Sequence, residues 1–192
     1  MRWGAVRFIA VMLALAVLSR EAVAEMAAFG AARHLVLSGS IFGQYYHGAG
    51  SGGTGAATIA VAPNLHWFGI ENVSLGAYLA LTYQNDGNQG VTGYALTPAV
   101  GYNLTLGEKV SLWPQLLVSI ASSGTSSGPS TSSITRWGVG AYFPFIYRPS
   151  EPLFFGFGPN FLTDLSAKSS DAYYGVAKVT SIGVQSMIGA WF

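Results

Sequence analysis

Residues 73–83 read VSLGAYLALTY, and they alternate without a fault. Val73, Leu75, Ala77, Leu79, Leu81 and Tyr83 fall on one face; Ser74, Gly76, Tyr78, Ala80 and Thr82 fall on the other. A period of two residues is that of a strand. Alternation leaves open which face meets solvent. A water-soluble barrel turns its greasy face inward, and a membrane barrel turns it outward.

Composition decides between the two. Only 9% of the residues are charged, against ~25% in ordinary soluble domains. A water-facing surface could hardly be built from so few. The chain is 51% hydrophobic with 25 glycines, yet beyond residue 24 no apolar run reaches the ~18 residues that suggest a spanning helix. A hydrophobic chain poor in charge and without such runs points to crossing by strands.

The first residues read as an export sequence. Arg2 and Arg7 precede the apolar run Phe8–Leu18, and Ala22-Val23-Ala24 is a small-x-small cleavage site. This predicts a signal peptide over 1–24, cut before Glu25, and a short leader over 25–32. The barrel is expected over 33–192. The chain has no cysteine, so neither a lipid-modified cysteine nor a disulfide is available. Without residues 1–24 the formal charge is about −1, which gives no electrostatic case for nucleic acid.

Eight alternating segments follow, at roughly 33–46, 57–68, 73–84, 92–104, 110–121, 134–147, 153–164 and 178–192. Short connections (69–72, 105–109, 148–152) alternate with longer Gly/Ser-rich ones such as HGAGSGGTGA at 47–56 and SSGTSSGPSTSS at 122–133. Short turns on one side and longer loops on the other suit an all-β, eight-stranded, antiparallel up-and-down transmembrane β-barrel. The face opposite the bulky one carries small residues, among them Ser38, Ser74, Gly76, Gly101, Gly138 and Gly158. Such a lining fits a narrow lumen. Leu79, Val118 and Phe157 are therefore expected to face lipid. An aromatic belt is expected at Trp67, Tyr102, Phe145, Tyr147 and Phe155 near the turns, and at Tyr83, Tyr94, Trp137 and Phe161 near the loops. Pro63, Pro98, Pro114, Pro144 and Pro159 lie inside these strands, where each withholds one ladder donor; bulges or bends are expected there.

Two hairpins, VAPNLHWFGIENVSLG (61–76) and LTPAVGYNLTLGEKVSL (96–112), share an apolar-x-Pro-x-apolar-x-aromatic approach, a polar turn and Val-Ser-Leu. YFPFIYRPSEPLFFG (142–156) keeps the rhythm with its proline shifted by one, and the chain ends SIGVQSMIGAWF. These segments resemble those of small bacterial outer-membrane β-barrel proteins of the OmpA/OmpX type. The resemblance implies residence in a Gram-negative outer membrane, contact with lipid and lipopolysaccharide, and a terminal strand, with Ile188 and Phe192, read by the barrel-assembly machinery. A monomer without cofactor is expected.

Candidate chemistry is sparse. No HExxH, Cys/His cluster or phosphate-binding loop occurs. His47 and Asp86, in the first two loops, are the one pairing an acyl-transfer site could use, and the resemblance to a lipid A-modifying barrel lacks a serine beside that Asp. Arg136 and Asp164 alternate onto the lumen face and lie symmetrically about a turn near Ser150, so they are expected as cross-strand neighbours forming a lumen ion pair. The expected role is structural or surface-directed and non-catalytic. The alternatives are a narrow passive pore and a lipid A-modifying enzyme.

Overall fold

The structure, a computed structural model, describes residues 29–46, 56–85, 90–127, 130–170 and 176–192. Eleven strands form one antiparallel sheet that returns on itself: β1 Leu35–Tyr46, β2 Ala56–Ile70, β3 Val73–Asn85, β4 Gly90–Tyr102, β5 Leu104–Gly107, β6 Val110–Leu112, β7 Gln115–Ser127, β8 Ser130–Tyr142, β9 Phe145–Ser150, β10 Leu153–Ser169 and β11 Thr180–Trp191. β4 runs on into β5 past Asn103, β6 into β7 past Trp113-Pro114, and β8 into β9 past Phe143-Pro144. These continuations reduce eleven strands to eight staves. β11 pairs with both β10 and β1, which closes the ring.

Orientation follows the alternation. Leu79 is 42% exposed, Val118 47% and Phe157 61%, while Ser38, Ser74 and Ser119 are buried. Bulky hydrocarbon therefore covers the outside, and the small residues line the inside. All nine aromatic positions of the expected belt lie exposed on the outer face.

The prolines act differently from expectation. The β1–β2 ladder carries Pro63 opposite Gly39, β3–β4 carries Pro98 opposite Ala77, and β10–β11 carries Pro159 opposite Val184, without a register shift, while on their other sides β2–β3 skips the rungs at Ala62 and Pro63 and β4–β7 those at Thr97 and Pro98. Only Pro114 and Pro144 interrupt a stave. Their carbonyls still accept: Tyr102 N–H donates to Pro114 O (2.9 Å), Trp113 N–H to Pro144 O (2.9 Å) and Phe143 N–H to Pro159 O (3.0 Å). The residue before each interrupting proline thus donates to the next proline around the wall. The ladder loses a donor but keeps its acceptor. The register shifts lie elsewhere, between Phe68 and Ile70, Thr105 and Gly107, Leu153 and Phe155, and Asp164 and Ser166.

The third loop is shorter than its composition suggests. The ladder between β7 and β8 continues to Ser127↔Ser130, so most of SSGTSSGPSTSS is paired strand. Beyond the hydrocarbon, backbone pairing alone sustains a hairpin, and the side chains need not alternate in polarity.

Candidate functional site

The lumen is layered. At the turn end it is filled, and the filler begins outside the barrel wall. Phe29, from the leader, is 2% exposed. Its ring stands 5.5 Å from Phe68, 5.4 Å from Trp113, 5.4 Å from Phe154 and 5.6 Å from Trp191, mostly edge-on, the geometry that ring quadrupoles favour. Arg148 lies with Cζ 5.9 Å from the Phe29 ring centroid. Its guanidinium donates to Ser111 Oγ, Gly107 O and Glu108 O, fastening the β5–β6 turn. The leader enters through a tight turn at Gly30, φ 96°. A Cβ there would meet Asn103 Nδ2 at 2.6 Å, so glycine is needed for space as well as for backbone conformation. Asn72 N–H donates to Gly30 O (2.7 Å), and Asn103 Nδ2 donates to Phe29 O (3.0 Å).

This stopper corrects the expectation of a slim hydrophilic lining throughout. Val36, Phe68, Trp113, Ile146, Phe154 and Trp191 also point inward and are buried. Glycines on adjacent strands make room for such large groups. His66 faces Gly76, Phe154 faces Gly189, and Met187 faces Gly156 in register. Parity along each strand puts these large residues on the inner face, which the expectation of a small-residue lining passed over. Phe29 carried no such pattern, because the leader is not a strand.

Above the stopper lies a polar layer. Tyr78 donates to Gln115, Ser38 to Asn64, and Tyr142 Oη to Gln185 O (3.1 Å). His66 is fully buried between Tyr78 and Trp113, with centroids 5.3 and 4.7 Å away, and neither ring nitrogen has a hydrogen-bond partner. It has no carboxylate to orient it as a base. Burial lowers the pKa of His34, which precedes β1.

Toward the loops the lumen opens into a chamber. Two adjoining cavities of ≈ 240 and ≈ 270 Å³ share Ala121 and Arg136 in their walls. Arg136 Nη1 lies 2.6 Å from Asp164 Oδ2. The two are diagonal rather than opposite: the ladder is centred on Glu151 rather than Ser150, so Asp164 faces Gly138, and a register shift between Asp164 and Ser166 then sets Arg136 against Ala167. Arg136 Nη1 also donates to Ala177 O (2.9 Å), and Val179 N–H donates to Asp164 Oδ2 (3.0 Å). The pair thereby holds the chain that leads into β11 against the wall. A partly buried charge pair satisfied in this way avoids the cost of a lone charge.

At the chain end, Phe192 and Leu35 exchange backbone hydrogen bonds, 2.9 Å each way. Ile188 is exposed outside the barrel. His47 and Asp86 lie outside the described residues. Among the described residues no group of three metal-ligating side chains occurs.

With the geometry complete, comparison with solved structures places it. Neisserial surface protein A matches with a TM-score of 0.50 at 12% identity, covering 82% of this chain and 94% of the other. Ail, the attachment invasion locus protein of Yersinia pestis, matches with a TM-score of 0.51 at 11% identity, covering 84% of this chain and 99% of the other. The fold is that of a small outer-membrane β-barrel. A major outer membrane protein from Thermus thermophilus is more distant, with a TM-score of 0.43 at 14% identity over 84% of this chain and 99% of that one. No protein-family model matches the chain, and no curated protein matches it in sequence.

Proposed function

We propose that this chain is a sealed, non-catalytic barrel of the Gram-negative outer membrane, reached by export with a cleaved signal peptide over 1–24. It acts structurally or through its outward loops and not by passing solutes. The supporting observation is the stopper: Phe29, Phe68, Trp113, Phe154 and Trp191 close the turn end, each at most 2% exposed. Conduction needs a hydrated path, and interlocked rings at the close packing of protein interiors leave none. This favours the sealed barrel over the narrow pore. Two structural neighbours are named a surface protein and an attachment invasion locus protein, and a role at the cell surface is proposed here also.

The exposed belt from Trp67 to Phe161 would sit at the two interfaces with lipid and lipopolysaccharide, with Ile188 and Phe192 offered to the assembly machinery as the final strand. We propose a monomer. The test is single-channel recording of the purified mature chain in a planar bilayer. The reading expects a silent membrane at protein densities where a porin control conducts; steady ohmic steps would establish the pore instead.

A further inference from the structure

The seam where the two ends of the barrel meet is short. β1 pairs with β11 from Val36↔Trp191 to Gly39↔Ile188, with Leu35 and Phe192 joined below. On its other side β1 pairs with β2 up to Tyr46↔Ala56, and β11 pairs with β10 up to Thr163↔Thr180. Among the described residues, Ser40–Tyr46 and Thr180–Met187 therefore have no ladder partner across the seam. Exposure agrees. Ile41 is 74% exposed, Ile182 80% and Val184 78%, above the outward hydrophobic residues of the continuous wall, which reach 71% at Leu116.

Depth gives the gap meaning. Gly43 faces Ile59, which faces Tyr83 of the loop-side belt. The gap opens below that level, at Ser40, which on the membrane-barrel reading falls within the hydrocarbon of the outer leaflet. An open sheet edge is not sustained in hydrocarbon unless it borders a cavity or is covered. A cavity does lie behind it. The ≈ 270 Å³ space is lined by Ser181 from the gap's β11 border and by Val179 just before it, with Leu162, Ala121, Arg136 and Asp164.

We propose that the gap is a lateral portal, through which one acyl chain bearing a carboxylate enters the outer chamber from the membrane. The chamber has the size and the largely apolar wall of a site for a single small ligand. Leu162, Val179 and Ala121 would receive the tail. Both recorded bonds of Arg136 leave from Nη1, so its remaining guanidinium edge can take the carboxylate. The aromatic stopper below makes the chamber blind, so the site retains its ligand rather than passing it through. The proposal rests on the membrane-barrel reading and adds a ligand to it.

The test uses the full mature chain in lipid nanodiscs. Continuing the β1–β11 register would place Ile41 opposite Ser186. The pair Ile41→Cys/Ser186→Cys should stay reduced under an oxidant that closes Leu37→Cys/Ala190→Cys, which lies in the paired part of the seam. Dodecanoic acid carrying a terminal diazirine should photolabel Leu162 and its chamber neighbours. Labelling should fall several-fold with the methyl ester of the probe, and likewise in Arg136→Gln. Ready closure of the Ile41–Ser186 pair overturns the portal. So does label confined to outer positions such as Val118 and Phe157. A disulfide-linked dimer through Ile41→Cys would mean that a second copy covers the edge, which also overturns it. Failure of the Leu37–Ala190 control to close would refute the barrel closure itself, a result distinct from loss of the ligand.

Discussion

Phe29→Ala is the sharpest perturbation of the stopper. Phe29 is 2% exposed, and its ring meets four others at 5.4–5.6 Å. Truncating a phenylalanine so buried costs about 3–5 kcal/mol, because transfer energy is lost and the surrounding rings relax only partly into the cavity. Those rings sit on different staves and the wall is closed around them, so collapse into the hole is restricted and the upper part of that range applies. At about 1.4 kcal/mol per decade, a loss of about 4 kcal/mol lowers the folding constant by nearly three decades. The assay is urea unfolding from lipid vesicles, followed by tryptophan fluorescence, with the denaturant slope compared between variants. The midpoint should fall with the slope unchanged. A water-soluble quencher should reach Trp113 and Trp191 more readily. An apolar cavity of this kind stays dry and accepts benzene, so saturating benzene should restore part of the lost stability. A loss below about 1 kcal/mol, closer to a surface substitution than to a core truncation, would show that the leader does not occupy the socket and would remove the main support for a sealed lumen.

Arg136→Ala and Asp164→Ala should couple by roughly 0.5–1.5 kcal/mol in a double-mutant cycle, at the lower end of contacting pairs because the arginine is partly solvated. Both single substitutions should destabilise, since Arg136 also donates to Ala177 O and Asp164 also accepts from Val179 N–H; additive effects in vesicle unfolding would refute the coupling. Gly158→Ala should destabilise more than Gly156→Ala. The Cβ at 158 would strike the backbone of Phe143 and Pro144, whereas at 156 it meets the flexible ends of Met187 and Ile146, so overpacking costs of about 1–3 kcal/mol are expected at 158 and less at 156; equal effects in the same assay would contradict these strand contacts. Leu79→Arg, at the middle of β3 on the outer face, should cost about 2–4 kcal/mol in lipid, and a neutral result would place that face outside the bilayer.

Much of this architecture was legible in the sequence, because a membrane barrel writes its orientation into every second residue. Val73–Tyr83 carried the argument: neither face held charge, so only lipid could accept the bulky one. What the sequence obscured has physical causes. Ser122–Ser133 looked like loop because Gly and Ser mark turns statistically, but a strand outside the hydrocarbon is held by its ladder and not by its side chains. Pro63, Pro98 and Pro159 suggested bulges or bends; no register shift occurs at them, but rungs are missing beside Pro63 and Pro98, where the donor is withheld. The pairing of Arg136 with Asp164 was read from symmetry about Ser150. The ladder is centred on Glu151 instead, and the shift beyond Asp164 adds one residue more, so the two are diagonal and long side chains bridge the difference. Phe29 was invisible because its role depends on rings brought together from β2, β10, β11 and the Trp113 break, residues separated by most of the chain.

The stopper and the short seam belong to one mechanical arrangement. β1 and β11 share only the lower rungs of a ladder, so pairing alone gives a weak closure at the point where the chain's ends meet. Phe29 packs against Phe68 of β2 and against Trp191 of β11, one on each side of β1. It therefore bridges the seam from within, at the level where the rungs exist. Trp191 N–H is in turn held by Pro152 O (3.2 Å), which ties β11 to the turn before β10. A clamp at the turn end leaves the outer half of the same seam free of any need to pair. If this is the division of labour, loosening the clamp must propagate upward. In Phe29→Ala, backbone amides of Val36–Gly39 should lose hydrogen-exchange protection while those of β3–β4, far around the wall, keep theirs. Uniform loss across both regions would mean that Phe29 stabilises the barrel only globally, and the link between stopper and seam would be gone.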